Sequence, residues 1–274
     1  MQENRERGIS MTNREIWQIA REQSAIDSGC RPDDFEKEEN CVVRSRCDAR
    51  ARRYLELPFD CDLTSYGRNV VASVSADLEE IVRSFLSRYP AHACFETPAL
   101  HVLMQALRPL GFDVCFMAEY SLPNLQALRP LPCPVEMRVL QPEDFAPLYR
   151  PEWGNALCEK RRQLDKLAVG AYDGEKLVGL AGCSADCDTM WQIGIDVLPA
   201  YRRQGIAAAL TSRLALETLQ RGKVPFYCCA WSNLASLRNA LKSGFVPAWV
   251  QITVKKQSFI EELNREQQKE SPQL

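Results

Sequence analysis

The stretch "TMWQIGIDVLPAYRRQGIAAALTSRLALETLQR", residues 189–221, constrains this chain more than any other. An apolar run ending in Val197 has the length and β-branched content of a buried strand, and Pro199 stops it. Ile206, Leu210 and Leu214 then recur at four-residue spacing, which predicts a helix over 205–221. Between strand and helix stand Arg202, Arg203, Gln204 and Gly205, followed by the small residues Ala207 and Ala208. A helix start leaves backbone N–H groups unpaired and carries a partial positive charge. With no side chain at Gly205 and little more than Cβ at the two alanines, an anion can approach those amides, and the arginines add charge. The pattern lacks the glycine spacing of a dinucleotide fingerprint and the Gly-Lys-Ser/Thr of a P-loop.

The flanking pattern predicts an α/β (α+β) chain. "VEMRVLQ" reads as a strand, 142–166 as helical or irregular, and "LAVGAYDGEKLVGLAGCS" as a hairpin turning at Asp173–Gly174. "VPFYCCAW" is a strand, 233–243 a helix closed by Gly244, and "FVPAWVQITV" a last strand. Upstream, 12–28 reads as a helix stopped by Gly29, and 69–90 as a short strand and an amphipathic helix. Met11 offers an alternative start that leaves the first ten residues without a structural role. "AHACFET", "PALHVLMQALRPLGF" and "DVCFMAEYSL" are expected as strand, helix and strand. Prolines 123, 130, 132 and 134 place a domain boundary near residue 133. The expected organisation is an N-terminal α/β domain over 1–133, a second domain over 134–258, and a polar tail over 259–274, frayed or disordered.

Arg202-x-x-Gly205-x-Ala207, after a strand ending in Val197-x-Pro199, resembles the acetyl-CoA motif of the GNAT (Gcn5-related) N-acetyltransferases. "WSNLASLRNALKSGF" (231–245) is similar to that family's second cofactor motif, Asn-x-x-Ser/Ala before a short helix ending in Gly-Phe. The resemblance covers about 134–257. It implies a GNAT fold, a mixed and mostly antiparallel central sheet flanked by helices, with acetyl-CoA as cosubstrate. Arg202 and the amides of Arg203, Gln204, Gly205, Ile206, Ala207 and Ala208 would hold the pyrophosphate. The backbone of Ile195 and Val197 would pair with the pantetheine arm, and Asn233 and Ser236 would contact the cofactor.

Many members carry a tyrosine four residues before the Gly of Gly-Phe, where it protonates the leaving thiolate; here that position is Ala240. Ser236, Tyr227 and Cys229 are the substitutes on hand. For the base that takes the amine proton Asp196 comes first, with Asp186, Asp188 and Glu152 as alternatives. Trp153, Trp191, Trp231 and Trp249 are candidates for an acceptor pocket or for core.

The expected activity is transfer of an acetyl group to the amine of a small molecule by direct attack in a ternary complex. A CoA-binding sensor or scaffold without turnover is the alternative reading, and a protein acceptor a third. More loosely, the chain looks like the zwittermicin-resistance type of bacterial GNAT acetyltransferase, which implies an acceptor held between two halves, with His92, Glu96 and His101 to test. "CFETPALHVLMQALRPLGFDVCFMAEYSL" can be laid over "YCCAWSNLASLRNALKSGFVPAWVQITV", with Gly111 on Gly244. The first half is thus expected to be a degenerate GNAT-like copy or a chance likeness, and a mismatched strand order would sink the first option.

Composition narrows the partners. Of 274 residues 26% are charged and the formal net charge is −2, which supplies no field for nucleic acid or an anionic membrane. No apolar run reaches the roughly 18–20 residues of a membrane span, and the N-terminus has no apolar signal region, so a cytoplasmic protein is expected, monomer or homodimer. Twelve cysteines and two histidines show no metal-ligand spacing, so no metal is expected and most cysteines are expected in the core.

Overall fold

The computed structural model describes residues 8–270. Ten strands are set in mixed, mostly antiparallel sheet flanked by helices, and the chain clusters into two units, each drawn from separate stretches.

The first unit takes the described part of Met1–Gln23 with Arg52–Tyr54 and Tyr120–Ala248. Strands β5 (Glu136–Leu140), β6 (Asp165–Asp173), β7 (Lys176–Ser184) and β8 (Met190–Val197) form an antiparallel meander. The β6–β7 loop is the pair Gly174–Glu175, and Gly174 takes φ +60 as a tight hairpin requires. Helix α4 (Ile206–Gln220) carries the chain from β8 to β9 (Val224–Ala230), which pairs parallel to β8. Ile206, Leu210 and Leu214 are fully buried, as their four-residue spacing predicts. Helix α5 (Leu234–Lys242) follows, and Gly244 at φ +95 turns the chain into β10 (Phe245–Lys256). The strand order runs β5–β6–β7–β8–β9–β4–β10, where β4 (Phe112–Pro123) and β10 contribute residues 120–123 and 245–248 to this unit. The segment 142–164 forms short 3-10 turns, whose Phe145, Trp153 and Leu157 pack on Ala168 and Leu180.

The second unit takes Ser24–Ala51, Leu55–Glu119 and the described part of Trp249–Leu274. Its strands are β1 (Cys41–Arg44), β2 (Cys61–Ser65) and β3 (Val71–Val74), with the remaining parts of β4 and β10, in the order β1–β3–β2–β10–β4. Helices α2 (Glu79–Arg88) and α3 (Thr97–Leu107) bury Val82, Leu103 and Leu107 against Leu63, Val74 and Ile252. Helix α1 (Asn13–Ser28) gives its first part to one unit and its last turn to the other. Helix α6 (Gln257–Glu270) occupies most of the expected frayed tail; residues 271–274, like 1–7, lie outside the described residues.

Several expectations need correction. "AHACFET" is not a strand: Ala93–Phe95 is a 3-10 turn in which the amides of Ala93 and Cys94 bond to Pro90 O. Its backbone is satisfied locally and has no need of a sheet partner. Strands β1 and β2 were not expected. They are short, and "CDLTS" is buried on both faces and so lacks the alternation that flags a strand. The degenerate, incomplete copy expected of the first half is left unconfirmed by the strand order. In the first unit β4 follows β9, the strand directly before α5. In the second, the strand next to β10 is β2, separated from α3 by β3 and α2. What recurs is helix, left-handed glycine and a strand. All twelve cysteines are free, and five are buried, six half-buried and Cys47 exposed, so fewer sit in the core than expected.

Candidate functional site: a cleft where two parallel strands part

Strands β8 and β9 pair only over Met190–Ile193 with Val224–Tyr227. Beyond that register both continue, to Val197 and to Ala230, without pairing each other. On its other side β8 stays bonded to β7 as far as Val197. The backbone of Ile195 and Asp196 therefore keeps an edge unpaired by β9 and open to an extended ligand, as an added strand docks on a sheet edge, while Val197 O accepts from Arg202 Nε at 3.0 Å. A cleft of about 620 Å³ opens at this point.

The N-terminus of α4 closes one end. The turn before it bends sharply: Arg203 sits at φ +63 and Gly205 at φ +87. Arg203 is the one non-glycine residue with positive φ among those described. Backbone strain of this kind costs about 1–3 kcal/mol and persists where the surroundings impose it. Alternation of such conformations turns successive N–H groups toward one point, making an anion-binding concavity. A Cβ built on Gly205 meets nothing within 4 Å, so the space in front of it is open. The first helical bond at this end runs from Ala209 N–H to Gly205 O at 3.1 Å, which leaves the amides of Ile206 to Ala208 without carbonyls of their own helix.

The other wall is α5. Asn233 caps it, its Oδ1 accepting the Ser236 N–H at 3.1 Å. Ser236 and Asn239 face β9, where the Tyr227 hydroxyl lies 3.0 Å from Ser236 Oγ and accepts from Asn239 Nδ2 at 3.5 Å. Asn239 Nδ2 also donates to Thr211 Oγ1 at 3.0 Å. Tyr227 is 2% exposed, and burial raises its phenol above the ordinary value. Above pH 7 it therefore stays protonated longer than a free tyrosine.

The structure brings together the residues of the two cofactor motifs, all but Gln204, with Asp196 and Tyr227. Ile195, Asp196, Val197, Arg202, Arg203, Gly205, Ile206, Ala207, Ala208, Tyr227, Asn233 and Ser236 all line this cleft. Gln204 does not; its side chain donates to Ala200 O at 3.2 Å. Asp186, Asp188 and Glu152 lie outside it. Asp186 is fully buried against Arg161 at 2.6 Å, Asp188 pairs with Arg53, and Glu152 is exposed. Cys229 is buried in β9, Trp153 belongs to the core, and none of the four candidate tryptophans lines the cleft. His92, Glu96 and His101 are not among its lining residues either.

Sequence reasoning missed Asn155, Tyr201, Arg238, Asn239 and Lys242. Arg238 and Lys242 were legible, since a four-residue spacing behind the Asn233 cap puts both on one face of α5. With Arg202 and Arg203 they make four cationic side chains around a cleft whose only acid, among the described residues, is Asp196. Asn155 comes from the irregular 142–164 segment and carries no sequence signal.

A parallel strand pair that parts before a strained turn and an unobstructed helix N-terminus makes a cleft with room for an extended anionic ligand. Over residues 128–248 the chain matches the family model described as GNAT acetyltransferase. Among solved structures, it is similar to a GNAT-family protein from Novosphingobium aromaticivorans (19% identity, 53% of this chain and 66% of that one, TM-score 0.40). It is also similar to a GCN5-related N-acetyltransferase-like protein from Streptococcus suis (19%, 58% and 69%, TM-score 0.43). A third is a protein from Salmonella typhimurium described with its cofactor acetyl-CoA (17%, 45% and 94%, TM-score 0.32). The chain thus spans just under two thirds of the first of these. Comparison with curated proteins gave no match. No described helix is long and apolar enough to cross a membrane.

Proposed function

We propose that this protein is an acetyl-CoA-dependent N-acyltransferase that moves an acetyl group to the amine of a small molecule. The observation that carries the reading is the parting of β8 from β9 directly before the strained, open turn at Arg203–Gly205. The pyrophosphate would lie on the amides of Arg203 to Ala208, with Arg202 and Arg203 beside it. The pantetheine arm would run along Ile195–Val197. We further propose the 134–258 segment as the catalytic domain, 1–133 as a substrate-binding or structural domain, and 259–274 as a tail.

In the reaction the neutral amine attacks the thioester carbonyl, a C–N bond forms, and the C–S bond breaks. The amine loses a proton to solvent or to a base, and the CoA thiolate takes one up. Tyr227 fits the second task. Its hydroxyl, protonated at neutral pH, meets α5 at Ser236 and Asn239, on the face that also carries Ala240. The proton donor would thus come from strand β9 instead of from the helix, with Ser236 holding the hydroxyl in place. Positioning supplies most of the remaining rate.

A CoA-binding module without turnover is the second reading, and Ala240 is the residue that favours it. The deciding experiment is multiple-turnover release of CoA thiol from acetyl-CoA with a panel of primary amines, run beside Tyr227→Phe. Turnover with any amine, and kcat reduced by about 10- to 100-fold in Tyr227→Phe, is the expected result. Tight binding of acetyl-CoA with no turnover for any amine selects the module.

A further inference from the structure

Among the described residues Asp196 is the only acid lining the cleft, which makes it the natural place to look for a base, yet both its oxygens already accept hydrogen bonds. Oδ2 accepts the backbone N–H of Asn155 at 2.9 Å and of Ala156 at 3.0 Å. Oδ1 accepts from the Asn155 side-chain amide at 2.7 Å. Three of the roughly four lone-pair sites of the carboxylate are filled, and a proton taken from an amine would weaken the acceptor that all three donors share.

The strands beneath explain how those donors reach it. Gly182 on β7 and Gly194 on β8 face each other in the antiparallel register. A Cβ on Gly194 would lie 2.7 Å from the carbonyl carbon of Asn155, and one on Gly182 would lie 2.9 Å from that of Ala156. The glycine pair is a groove across the sheet in which the Asn155–Ala156 backbone lies. Asp196 is two residues beyond Gly194, so it points from the same face of β8 and reaches the amides of the segment lying in the groove. The groove and the three hydrogen bonds are separate observations, and both hold the same two residues in one place.

One chemical consequence follows for Asn155. A carboxylate only accepts hydrogen bonds, so the amide must turn its NH₂ toward Asp196. That turns Oδ1 away from Asp196 and leaves it, with the second N–H of the amide, to bond a ligand; the oxygen calls for an N–H donor.

We propose that Asp196 is a positioning residue that clips the Asn155–Ala156 segment into the Gly182–Gly194 groove, and that Asn155 contacts the ligand, accepting an N–H through Oδ1. That N–H comes from the acceptor amine or from an amide of the pantetheine arm. The ligand half of this proposal rests on the acyltransferase reading above; the clip does not.

The test has an arm for each half. Hydrogen exchange of the Asn155 and Ala156 amides is compared in wild type, Asp196→Ala and the isosteric Asp196→Asn, the latter in case the alanine variant does not fold. Exchange at both amides faster by about tenfold or more in a folded variant is expected, and unchanged exchange in both variants overturns the clip. Kinetics of Asp196→Asn, Asn155→Ala and the double variant are then followed against pH. The expected result is a similar loss of kcat/KM, about tenfold, in each single variant, little further loss in the double, and an acid limb that persists in all. Loss of the acid limb and of 100-fold or more in kcat in Asp196→Asn alone, with Asn155→Ala unaffected, makes Asp196 the base and overturns the proposal. In Asn155→Ala a raised KM for the amine or for acetyl-CoA identifies the source of the N–H, and no change in either removes Asn155 from the ligand. A wild-type protein that binds no acetyl-CoA by titration calorimetry sinks the acyltransferase reading, while the exchange arm still decides the clip.

Discussion

The segments α3–Gly111–β4 and α5–Gly244–β10 share one backbone plan: a helix, a glycine with φ +81 or +95, and a strand of twelve residues. Their side chains serve different ends. Along α3 the residues Leu100, Leu103 and Leu107 are buried in core, and the cap position Glu96 makes no side-chain bond. Along α5 the inner face carries Ser236 and Asn239, bonded to Tyr227, and Asn233 is a working cap. What precedes each helix also differs. Before α5 runs β9, which parts from β8; before α3 runs a 3-10 turn with no strand to part from anything. The shared frame is a packing solution, and a site arises only where a parallel strand pair opens ahead of it.

The two glycines offer the hardest way to break this comparison. Gly244 needs its φ and also lacks room, since a Cβ there would lie 2.6 Å from Leu128 Cα and 2.8 Å from Leu128 N. Gly111 needs only the φ, with nothing within 4 Å. Gly244→Ala should therefore cost about 3–5 kcal/mol, strain and overpacking together, against about 1–2 for Gly111→Ala. Chemical denaturation measures both, and equal losses would show that the close approach to Leu128 does not matter.

A second pair separates strain from ligand binding. Gly205 and Gly111 both have positive φ and open space, so glutamate at either should strain the backbone alike. Gly205→Glu alone places a negative charge in the anion cradle, and acetyl-CoA affinity by titration calorimetry should fall by about 100-fold, or ~2.7 kcal/mol. Gly111→Glu should leave that affinity as it is.

Two buried aspartates sharpen the contrast by pH. Burial raises both Asp62, in the second unit, and Asp165, in the first, to about 6. A carboxyl raised above its unfolded value of roughly 4 contributes stability that is full below that pH and is lost as pH rises through 6. Asp62 accepts from Gln251, Thr253 and Thr64, which limit the shift without cancelling it. The stability of wild type minus that of Asp62→Asn should fall by roughly 2 kcal/mol between pH 4 and pH 7. A flat difference would mean that Asp62 is ionised in the fold at no cost.

The helix caps give the smallest effect. Asn233→Ala removes a bonded cap and should cost ~1 kcal/mol in thermal or chemical unfolding, whereas Glu96→Ala should change stability by no more than about 0.5. A larger effect at Glu96 would reveal a cap role that its side-chain geometry does not show.

Local chemistry made much of this protein legible in sequence. The four-residue apolar spacing of α4, the proline after β8 and the glycine at 205 each act on their own neighbours, and each stands where it was expected. Strand β2 was hidden because a strand buried on both faces has no alternation to read. The turn at Ala93–Phe95 was misread because its apolar residues satisfy their amides locally, which composition cannot reveal. The residues of the turn before α4 were readable for the same reason that α4 was. They act through their own backbone and the helix they begin.

Asp196 shows the limit. Its sequence context places it at the end of the strand beside the cleft, and that much was correct. Whether it is free to take a proton depends on Asn155, forty-one residues earlier, whose approach is permitted by Gly182 and Gly194 on two different strands. Short-range order is set by backbone conformation and by the spacing of apolar residues, so the sequence alone determined the strand–turn–helix and the charge of its rim. The tertiary structure decided which oxygens are already bonded and which remain open, because hydrogen-bond partners distant in the chain meet only when the sheet is assembled.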